Sequence, residues 1–451
     1  MTVIGLDDTD SRSEGMCTTY LATRLAEAIA DAGGRVDRRL LIRLNPAVKH
    51  KTRGNAALAL HTDLAADRAF ELACDRLESL AINADSRTSP GVVVAPGSPE
   101  AVPEAVVDHA RRAIRHRLIL EEARATIDAA GYRHRGWAGT GCDVRGRGRI
   151  GALAAVGAWA AFEAWTHETI AYRAFDRCGT PRAVDREAVF AAAEDGYPEV
   201  WDTVDREAGA AVCVPNAPGP ILYGIRGDDP AATRRVADRI ADAAGTETVD
   251  RWSTFLTNQG TDAHLAAGSI GALREGAGYR VDGVVESPPE TRQGGHVFFE
   301  LAAADTAASM ETADMAASTG TTDVETVDCV AFEPTKRFRD RVRALRIGDR
   351  LTVCGEHSEG TIKLEKFAVR ELNHTERVTP TCPDCGRRMK SAGRGQGYRC
   401  RDCGTTEPAK VDREVDRELE AGWYEVPPVA RRHIAKPLVR GGFDAATHPE
   451  R

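Results

Sequence analysis

The segment 382–403 decides the fold of the C-terminal part of this chain, and it reads CPDCGRRMKSAGRGQGYRCRDC. It holds two C-x-x-C pairs, and a glycine follows the second cysteine of each pair. Each pair forms a tight turn from which two thiolates reach one zinc ion, and glycine relieves that turn sterically. One pair alone would leave a redox dithiol open, but two pairs at this spacing beside several arginines indicate a closed, structural zinc site. The sequence therefore predicts a zinc ribbon over 378–406, with the ligands Cys382, Cys385, Cys400 and Cys403.

The composition of the chain is typical of a globular protein with several domains. Its 451 residues are 42% hydrophobic and 28% charged, and this length exceeds one ordinary core. The eleven cysteines are an odd number and argue against a disulfide framework. We find no apolar run of membrane-spanning length and no signal peptide ahead of the first strand, so we expect a cytoplasmic protein without membrane contact. The net charge of -8 does not exclude RNA binding, because local basic patches decide that property.

Hydrophobic periodicity divides the chain ahead of the ribbon into three units and predicts a multidomain α+β fold. Residues 1–148 alternate strand and helix patterns and indicate a compact α/β unit, in which 103–130 is one long helical stretch. Residues 149–268 show strand–helix–strand runs that suit a ferredoxin-like layer. Residues 278–373 hold short strands around a Gly-Asp turn, which is typical of an OB-type β-barrel. Within them, 303–323 lack periodicity and are predicted to be an inserted loop.

The tail, 407–451, follows the ribbon. Its first part, 411–421, is dense in charge and is predicted to form a helix. Aromatic and arginine side chains further on are candidate RNA contacts, although core packing suits the tryptophan equally well. These candidates are Trp423, Tyr424, Arg431, Arg432 and His433.

A cluster of carboxylates lies where the first predicted strand ends. Residues 4–11 read IGLDDTDS and supply Asp7, Asp8 and Asp10. Clustered carboxylates repel one another unless a cation joins them, and magnesium carrying nucleotide phosphates is the usual cation. The following GMCTT, 15–19, opens a helix whose free N–H groups suit an anion, and the Thr18 hydroxyl could accept or relay a phosphoryl group. The spacing equally permits an acidic turn in which Thr18 is only an N-cap.

Two basic segments are further candidates for phosphate contacts. Lys51 and Arg53 flank a turn and could neutralise phosphate charge, while a solvated basic turn is the alternative. Arg147 and Gly148 belong to RGRGRIG, 145–151, which precedes a helix and matches G-x-G-x-x-G formally. No clear strand precedes it, so a basic loop that meets ATP or RNA phosphates is favoured over a dinucleotide-binding turn.

Several separate motifs resemble the archaeal tRNA-Ile 2-agmatinylcytidine synthetase (TiaS) family. They are GLDDTDS (5–11), GMCTTYL (15–21), RLNP (43–46), KTRGN (51–55), IGALAAVG (150–157), YGIRG (223–227) and TNQGTD (257–262). The resemblance covers nearly the whole chain, with departures at 47–50 and 303–323. It implies a kinase-like catalytic domain over 1–148, a ferredoxin-like domain over 149–268, an OB-fold domain over 278–373 and the zinc ribbon.

The resemblance also implies a reaction. Members of this family use ATP to attach agmatine to carbon-2 of the wobble cytidine of tRNA-Ile with a CAU anticodon, through a phosphorylated cytidine, so that the tRNA decodes AUA. In this chain Asp7, Asp8 and Asp10 would hold magnesium and the phosphates, with Lys51, Arg53, Arg147 and Gly148 around them. Thr18 matches the threonine that becomes phosphorylated. The expected partners are ATP, agmatine and tRNA-Ile, with no obligate protein partner.

Agmatine is a dication, so its pocket needs carboxylates and an amide or aromatic surface. The candidates for agmatine or cytidine contacts are Asn55, Asp202, Asp228, Asn258, Gln259 and Asp262. Each of them could instead be a helix cap, a surface charge or a polar turn.

Two other functions compete with the ligase. A non-catalytic tRNA-binding or chaperone protein would leave the acidic motif unexplained. A protein or small-molecule kinase would leave the C-terminal half unused. ATP turnover that depends on Asp7 and Asp8 separates an enzyme from a binding protein.

Overall fold

The computed structural model describes residues 1–12, 15–48, 54–81, 85–139, 145–303, 325–432 and 434–451. The helices of these ranges are α1 (Thr18–Asp31), α2 (Ala66–Leu80), α3 (Glu104–Ala113), α4 (Leu120–Ala129), α5 (Arg149–Ala161), α6 (Arg186–Gly196), α7 (Pro230–Ala241) and α8 (Phe338–Arg343). Among the residues described, no helix combines the length and the apolarity that crossing a bilayer requires.

A single nine-stranded sheet joins the first two predicted units. Its strands are β1 (Thr2–Asp7), β2 (Val36–Arg43), β3 (Ala56–Thr62), β4 (Gly91–Pro96), β5 (Arg133–Gly136), β6 (Thr166–Tyr172), β7 (Val200–Trp201), β8 (Ile221–Gly227) and β9 (Arg251–Thr257). Their order is β5-β4-β1-β3-β2-β9-β6-β8-β7. The two units meet where β2 runs parallel to β9, with Leu40 opposite Leu256.

Alternation along β1 explains how helices cover both faces of this sheet. Ile4 and Leu6 point into a core with α1 and α2, whereas Val3 points into a core with α3, α4 and α5. Gly5 lies directly under α5, because a Cβ built there would be 2.1 Å from the Ala152 carbonyl oxygen. A larger residue at that position would push α5 away from the end of β1, where the acidic motif begins.

The second sheet closes into a five-stranded barrel. It contains β10 (Leu265–Gly268), β11 (Ala277–Val285), β12 (Glu290–Thr291), β13 (Val297–Ala303), β14 (Thr326–Ala331), β15 (Arg350–Ser358), β16 (Thr361–Glu371), β22 (Gly422–Glu425) and β23 (Thr447–His448). The barrel closes through β11-β13-β14-β16-β15, since β15 pairs with both β16 and β11. The buried Phe338 of α8 belongs to its core. The predicted barrel is confirmed, while the predicted loop at 303–323 falls outside the described residues after residue 303.

The ribbon and its stem follow the barrel. The stem pairs β17 (Thr375–Val378) with β21 (Val411–Glu414), and the ribbon pairs β18 (Lys390–Ser391), β19 (Tyr398–Arg399) and β20 (Thr406–Glu407). The helix predicted over 411–421 is therefore wrong. The charged residues of this segment leave no apolar face that a helix could bury. Antiparallel pairing with β17 supplies the backbone hydrogen bonds instead.

Candidate active site and metal centre

A cavity of about 350 Å³ opens where β1 ends and α5 begins. We call it the acidic cavity, and its polar and charged lining residues are Asp7, Asp8, Asp10, Thr18, Asn55, His116, Arg117, Glu121 and Arg147. The apolar lining residues, which we call the apolar wall, are Leu44, Val48, Ala56, Ala113, Leu118, Ile119, Leu120 and Ile150. A cavity of this size with both charged and apolar lining suits a small-molecule ligand that has a charged part and an apolar part.

Sequence reasoning missed the apolar wall. The chain from 103 to 130 is not one helix, because α3 ends at Ala113 and α4 begins at Leu120. The connection between them lines the acidic cavity, and Ile119 is 51% exposed beside it. This connection contains neither glycine nor proline, so the sequence carries no ordinary signal for the break.

Asp7 and Asp8 form a tight pair at the end of β1. The Asp8 N–H donates to Asp7 Oδ1 at 2.6 Å, and Asp8 has the left-handed φ of 60° that this turn requires. Asp7 packs on the start of α5, where a Cβ on Gly151 would lie 2.1 Å from its Oδ2. Burial, followed by the neighbouring charge of Asp8, raises the pKa of Asp7 well above its ordinary value. A cation in the acidic cavity would relieve this repulsion.

Thr18 is the first residue of α1 and lies within reach of Asp10 and Thr9. The Thr18 N–H donates to Asp10 Oδ1 at 2.7 Å, and the Thr18 hydroxyl donates to the same oxygen at 3.1 Å. The Thr9 hydroxyl donates to Thr18 Oγ1 at 3.1 Å. Asp10 thus caps the helix from outside it, while Cys17 occupies the N-cap position without a side-chain hydrogen bond. Thr18 is therefore not the N-cap, and its hydroxyl faces a carboxylate.

The residues predicted to contact phosphates from the two basic segments separate into three groups. Arg147 lines the acidic cavity, and its Nη2 donates to Asp8 Oδ2 at 2.6 Å. Gly148 packs against Asp7, and its N–H donates to the Ser89 carbonyl oxygen at 2.8 Å. That N–H is therefore engaged within the protein, and the nucleotide contact of Gly148 stays a prediction. Lys51 and Arg53 lie outside the described residues.

The carboxylates predicted to bind agmatine lie away from the acidic cavity, each against a cation of the C-terminal half. Asp202 pairs with Arg431. Asp228 accepts from Arg440 Nε at 2.6 Å, and the two Asp262 oxygens accept from Lys366 Nζ at 2.9 and 2.8 Å. Each of these carboxylates already has a cationic partner within the chain, and none of the three lines the acidic cavity. The agmatine contacts of these three residues stay predictions.

Asn258 and Gln259 are buried and hold the end of β2. Asn258 Oδ1 accepts from the Arg43 N–H at 2.8 Å, and Gln259 Oε1 accepts from Arg43 Nε at 3.0 Å. Arg43 Nη2 lies 3.4 Å from Glu168 Oε2, which is also buried. These amides join the end of β9 to β2, and the ligand contacts proposed for them stay predictions. Asn55 does line the acidic cavity, and its Nδ2 donates to the Asn45 carbonyl oxygen at 2.7 Å.

The four ribbon cysteines converge as a metal site. Their Sγ atoms all lie within 4.8 Å of one another, and the Sγ atoms of Cys385 and Cys400 are 3.6 Å apart. A tetrahedral Zn–S bond of about 2.3 Å requires sulfurs about 3.8 Å apart, so this donor set fits zinc. Both knuckles have the same turn, with Gly386 at φ 71° and Gly404 at φ 77°. All four positions predicted for the ligands are thus brought together.

Two candidate RNA contacts in the tail are buried. Trp423 and Tyr424 lie in β22 and are 1% and 4% exposed. Arg431 is held by Asp202 and Glu425, and Arg432 pairs with Glu356 and Glu365. Burial therefore favours the core-packing alternative for Trp423 and counts against an RNA contact of Tyr424, whereas the RNA contacts of Arg431 and Arg432 stay predictions. His433 lies outside the described residues.

A carboxylate cavity with a threonine hydroxyl at a helix start, followed by a barrel and a zinc ribbon, defines a class of multidomain enzymes that handle nucleotides and nucleic acids. Three family models match: the TiaS TCKD domain over 3–65, the TiaS FLD domain over 146–264 and the TiaS C-terminal zinc ribbon domain over 379–419. The tRNA 2-agmatinylcytidine synthetase TiaS of Haloquadratum walsbyi is 57% identical over 100% of both chains, and that of Methanosarcina mazei is 41% identical over 97% of both. This chain belongs to the TiaS family.

Solved structures agree with this assignment. The crystal structure of a TiaS complex with its isoleucine tRNA and ATP matches with a TM-score of 0.83 and 38% identity, covering 100% of this chain and 99% of that one. The crystal structure of TiaS with the same tRNA, AMPCPP and agmatine matches with a TM-score of 0.81 and 36% identity over the same shares.

Proposed function

We propose that this protein attaches agmatine to carbon-2 of the wobble cytidine of tRNA-Ile with a CAU anticodon, in a reaction that consumes ATP. The product is agmatidine, and the modified tRNA reads AUA. The acidic cavity carries the proposal, because it is lined by three carboxylates and by the Thr18 hydroxyl, which donates to one of them, Asp10, in a chain that is similar from end to end to enzymes of this activity. A non-catalytic tRNA-binding protein would have no use for this arrangement and is not favoured.

The mixed lining of the acidic cavity suits ATP. Leu118 and Ile119 offer contact area for a purine ring, and Arg147 offers its guanidinium to the phosphates. Asp7 and Asp8 would hold magnesium, which neutralises phosphate charge when it is bound. The closeness of Asp7 and Asp8 in one cavity supports a cation here, and burial followed by the charge of Asp8 raises the pKa of Asp7.

Thr18 accepts a phosphoryl group in this proposal. Its Oγ1 forms a bond to the phosphorus while the bond from that phosphorus to the nucleotide oxygen breaks, and the shortened nucleotide leaves with the electron pair. The hydroxyl proton moves to Asp10 Oδ1, which already accepts from it. The Thr9 hydroxyl orients Thr18 Oγ1 from the other side. Asp10 is thus assigned to proton transfer and helix capping rather than to magnesium.

A second phosphoryl transfer activates the base. The cytosine carbonyl is a poor electrophile, and its oxygen forms a bond to the terminal phosphorus of ATP while the bond from that phosphorus to the nucleotide oxygen breaks, which makes the cytosine oxygen a good leaving group. The agmatine amine then forms a bond to carbon-2, phosphate leaves with the former carbonyl oxygen, and the amine releases a proton. The base must leave its stack to reach the acidic cavity, as other base-modifying enzymes require.

The barrel and the ribbon provide the surface for tRNA. The exposed cations of the ribbon contrast with the net charge of -8 of the whole chain. They are Arg387, Arg388, Lys390, Arg394, Arg399 and Arg401. We assign the kinase-like domain to 1–148, the ferredoxin-like domain to 149–268, an OB-fold domain to 278–373, the ribbon to 378–406 and the tail to 407–451. A cytoplasmic location follows from the tRNA substrate and stays a prediction.

Agmatine incorporation tests this function. Purified protein, ATP, labelled agmatine and a tRNA-Ile transcript should give labelled tRNA, and a transcript with uridine at the wobble position should remain unlabelled. Asp7→Ala should abolish labelling, because the cation site is lost. Intact ATP turnover without any agmatine incorporation would refute the ligase function.

A further inference from the structure

Asn45 lies buried between the acidic cavity and the barrel. It follows β2 and is 3% exposed. Its Nδ2 donates to the Gly276 carbonyl oxygen at 2.8 Å, and Gly276 directly precedes the barrel strand β11. Its Oδ1 accepts from the Ala47 N–H at 2.9 Å. One side chain thus shapes the turn after β2 and also holds the entrance of the barrel.

The backbone of Asn45 holds the cavity wall. Its N–H donates to the Ala113 carbonyl oxygen at 3.1 Å, and its carbonyl oxygen accepts from Asn55 Nδ2 at 2.7 Å and from the Val48 N–H at 3.4 Å. Ala113, Asn55 and Val48 all line the acidic cavity. Asn45 does not line it, so any effect of this residue on nucleotide binding acts through its neighbours.

A second contact joins the wall of the acidic cavity to the connection between β9 and β10, which leads into the second sheet. Arg115 Nε, at the end of α3, donates to the Ala263 carbonyl oxygen at 3.0 Å. The neighbouring His116 lines the acidic cavity, and burial followed by the charge of Arg274 lowers its pKa. Arg274 lies between β10 and β11. The barrel entrance therefore reaches the cavity wall at α3 as well as at Asn45.

We propose that Asn45 is a positioning residue that couples seating of tRNA on the barrel to closure of the cavity wall around ATP. This inference rests on the proposed function, since it requires ATP in the acidic cavity and tRNA on the barrel. Coupling between sites passes through contiguous hydrogen-bonded and packed groups, and Asn45 is such a group between these two. Coupling of binding is reciprocal, so tRNA should tighten ATP binding by the same factor by which ATP tightens tRNA binding.

Two substitutions of Asn45 test its hydrogen bond to Gly276 separately from the turn that it forms with Ala47. Asn45→Asp keeps the oxygen that accepts from Ala47 but replaces the donor to Gly276 with an oxygen that repels its carbonyl. Asn45→Ser can keep a similar turn through its hydroxyl, adds no charge and is too short to reach Gly276. Both variants should therefore lose the barrel contact by different chemistry, and agreement between them excludes an effect of charge alone.

Asn373 provides the matched control. Its Nδ2 donates to the Ile347 carbonyl oxygen at 2.9 Å, and its Oδ1 accepts from the Thr375 N–H at 2.9 Å. In both asparagines Nδ2 donates to a carbonyl oxygen and Oδ1 accepts from the N–H two residues further on. Asn373 differs in that its Oδ1 also accepts from the Thr375 hydroxyl at 3.0 Å and in that it is half-buried. Asn373 lies where the barrel meets the ribbon stem, and it does not line the acidic cavity. Asn373→Asp thus reports the general cost of this substitution.

The measurement is the dissociation constant of AMPCPP with and without saturating tRNA-Ile transcript. We expect tRNA to tighten AMPCPP binding by about tenfold in the unaltered protein, within the usual range of coupling between sites. Both Asn45 variants should reduce this ratio to within about twofold of unity, and Asn373→Asp should leave it unchanged. Thermal unfolding checks that each variant is folded.

Three outcomes would overturn the inference. They are a ratio of unity in the unaltered protein, an unchanged ratio in both folded Asn45 variants, and an equal loss in Asn373→Asp. Failure of this coupling with agmatine incorporation intact leaves the proposed function standing. Absence of incorporation with coupling intact refutes the proposed reaction and leaves the role of Asn45 in binding.

Discussion

Asp10→Asn offers a sharp test of proton transfer from Thr18. Asp10 Oδ1 accepts two hydrogen bonds from Thr18, one from its N–H at 2.7 Å and one from its hydroxyl at 3.1 Å. An asparagine oxygen can still accept the first bond and cap α1, but it cannot take a proton. The substitution therefore removes the chemistry proposed for Asp10 while keeping its structural contact.

The structure sets the expected magnitudes. Loss of a general base lowers a rate by about 10²- to 10⁴-fold, which corresponds to about 3 to 5 kcal/mol of barrier. Loss of the charge at the start of α1 costs about 0.3 to 1 kcal/mol of stability, since a neutral cap remains. Asp10→Ala removes the cap as well and should cost about 0.5 to 2 kcal/mol.

Two assays separate these effects. Transfer of label from ATP to the protein measures the phosphoryl step, and thermal unfolding measures the stability of the fold. We expect Asp10→Asn to lose transfer to Thr18 with a small fall in Tm, and Asp10→Ala to lose transfer with a larger fall. Transfer in Asp10→Asn within about threefold of the unaltered protein would contradict the role of Asp10 as the base.

Three further changes test other parts of the site. Asp7→Asn should abolish ATP turnover. It should also raise the Tm of the ligand-free protein at neutral pH, because the pKa of Asp7 is raised in the folded state. The contribution of Asp7 to stability is present below its ordinary pKa of 3.8 and is lost as the pH rises through the folded pKa. A Tm difference between Asp7→Asn and the unaltered protein that does not grow as the pH rises above 3.8 would contradict that sign. Gly151→Ala should displace Asp7, because its Cβ would lie 2.1 Å from Oδ2, and should abolish ATP turnover; Gly157→Ala on the same helix meets the Val106 carbonyl oxygen and should lower the Tm instead. Cys382→Ser should release zinc and weaken binding of tRNA-Ile while AMPCPP binding persists, and loss of both together would mean that the whole fold depends on the ribbon.

Local motifs carried most of what the sequence predicted correctly. The zinc ligands lie within one short segment, so their spacing alone reports the site. The acidic motif and Thr18 are separated by a few residues and follow one strand, which made their convergence predictable. The barrel was recognisable because its short strands alternate with clear turns.

Long-range pairings explain what the sequence did not predict. The cations that engage Asp262, Asp228 and Asp202 are 104, 212 and 229 residues away along the chain, so no local pattern marks these carboxylates as structural. The continuous sheet likewise depends on β2 meeting β9, which no single segment encodes. The apolar wall arises from a helix break without glycine or proline, and the strand β21 resembled a charged helix until its partner β17 was known.

The fate of the cytidine oxygen tests the central reaction most directly. A tRNA-Ile whose wobble cytidine carries ¹⁸O on carbon-2 can be incubated with the protein, ATP and agmatine, and the released phosphate and the digested tRNA analysed by mass spectrometry. The proposed reaction predicts one ¹⁸O atom in phosphate for each agmatine attached to the base. Attachment of agmatine with no ¹⁸O in phosphate would contradict the phosphorylated cytidine, and no attachment would contradict the ligase.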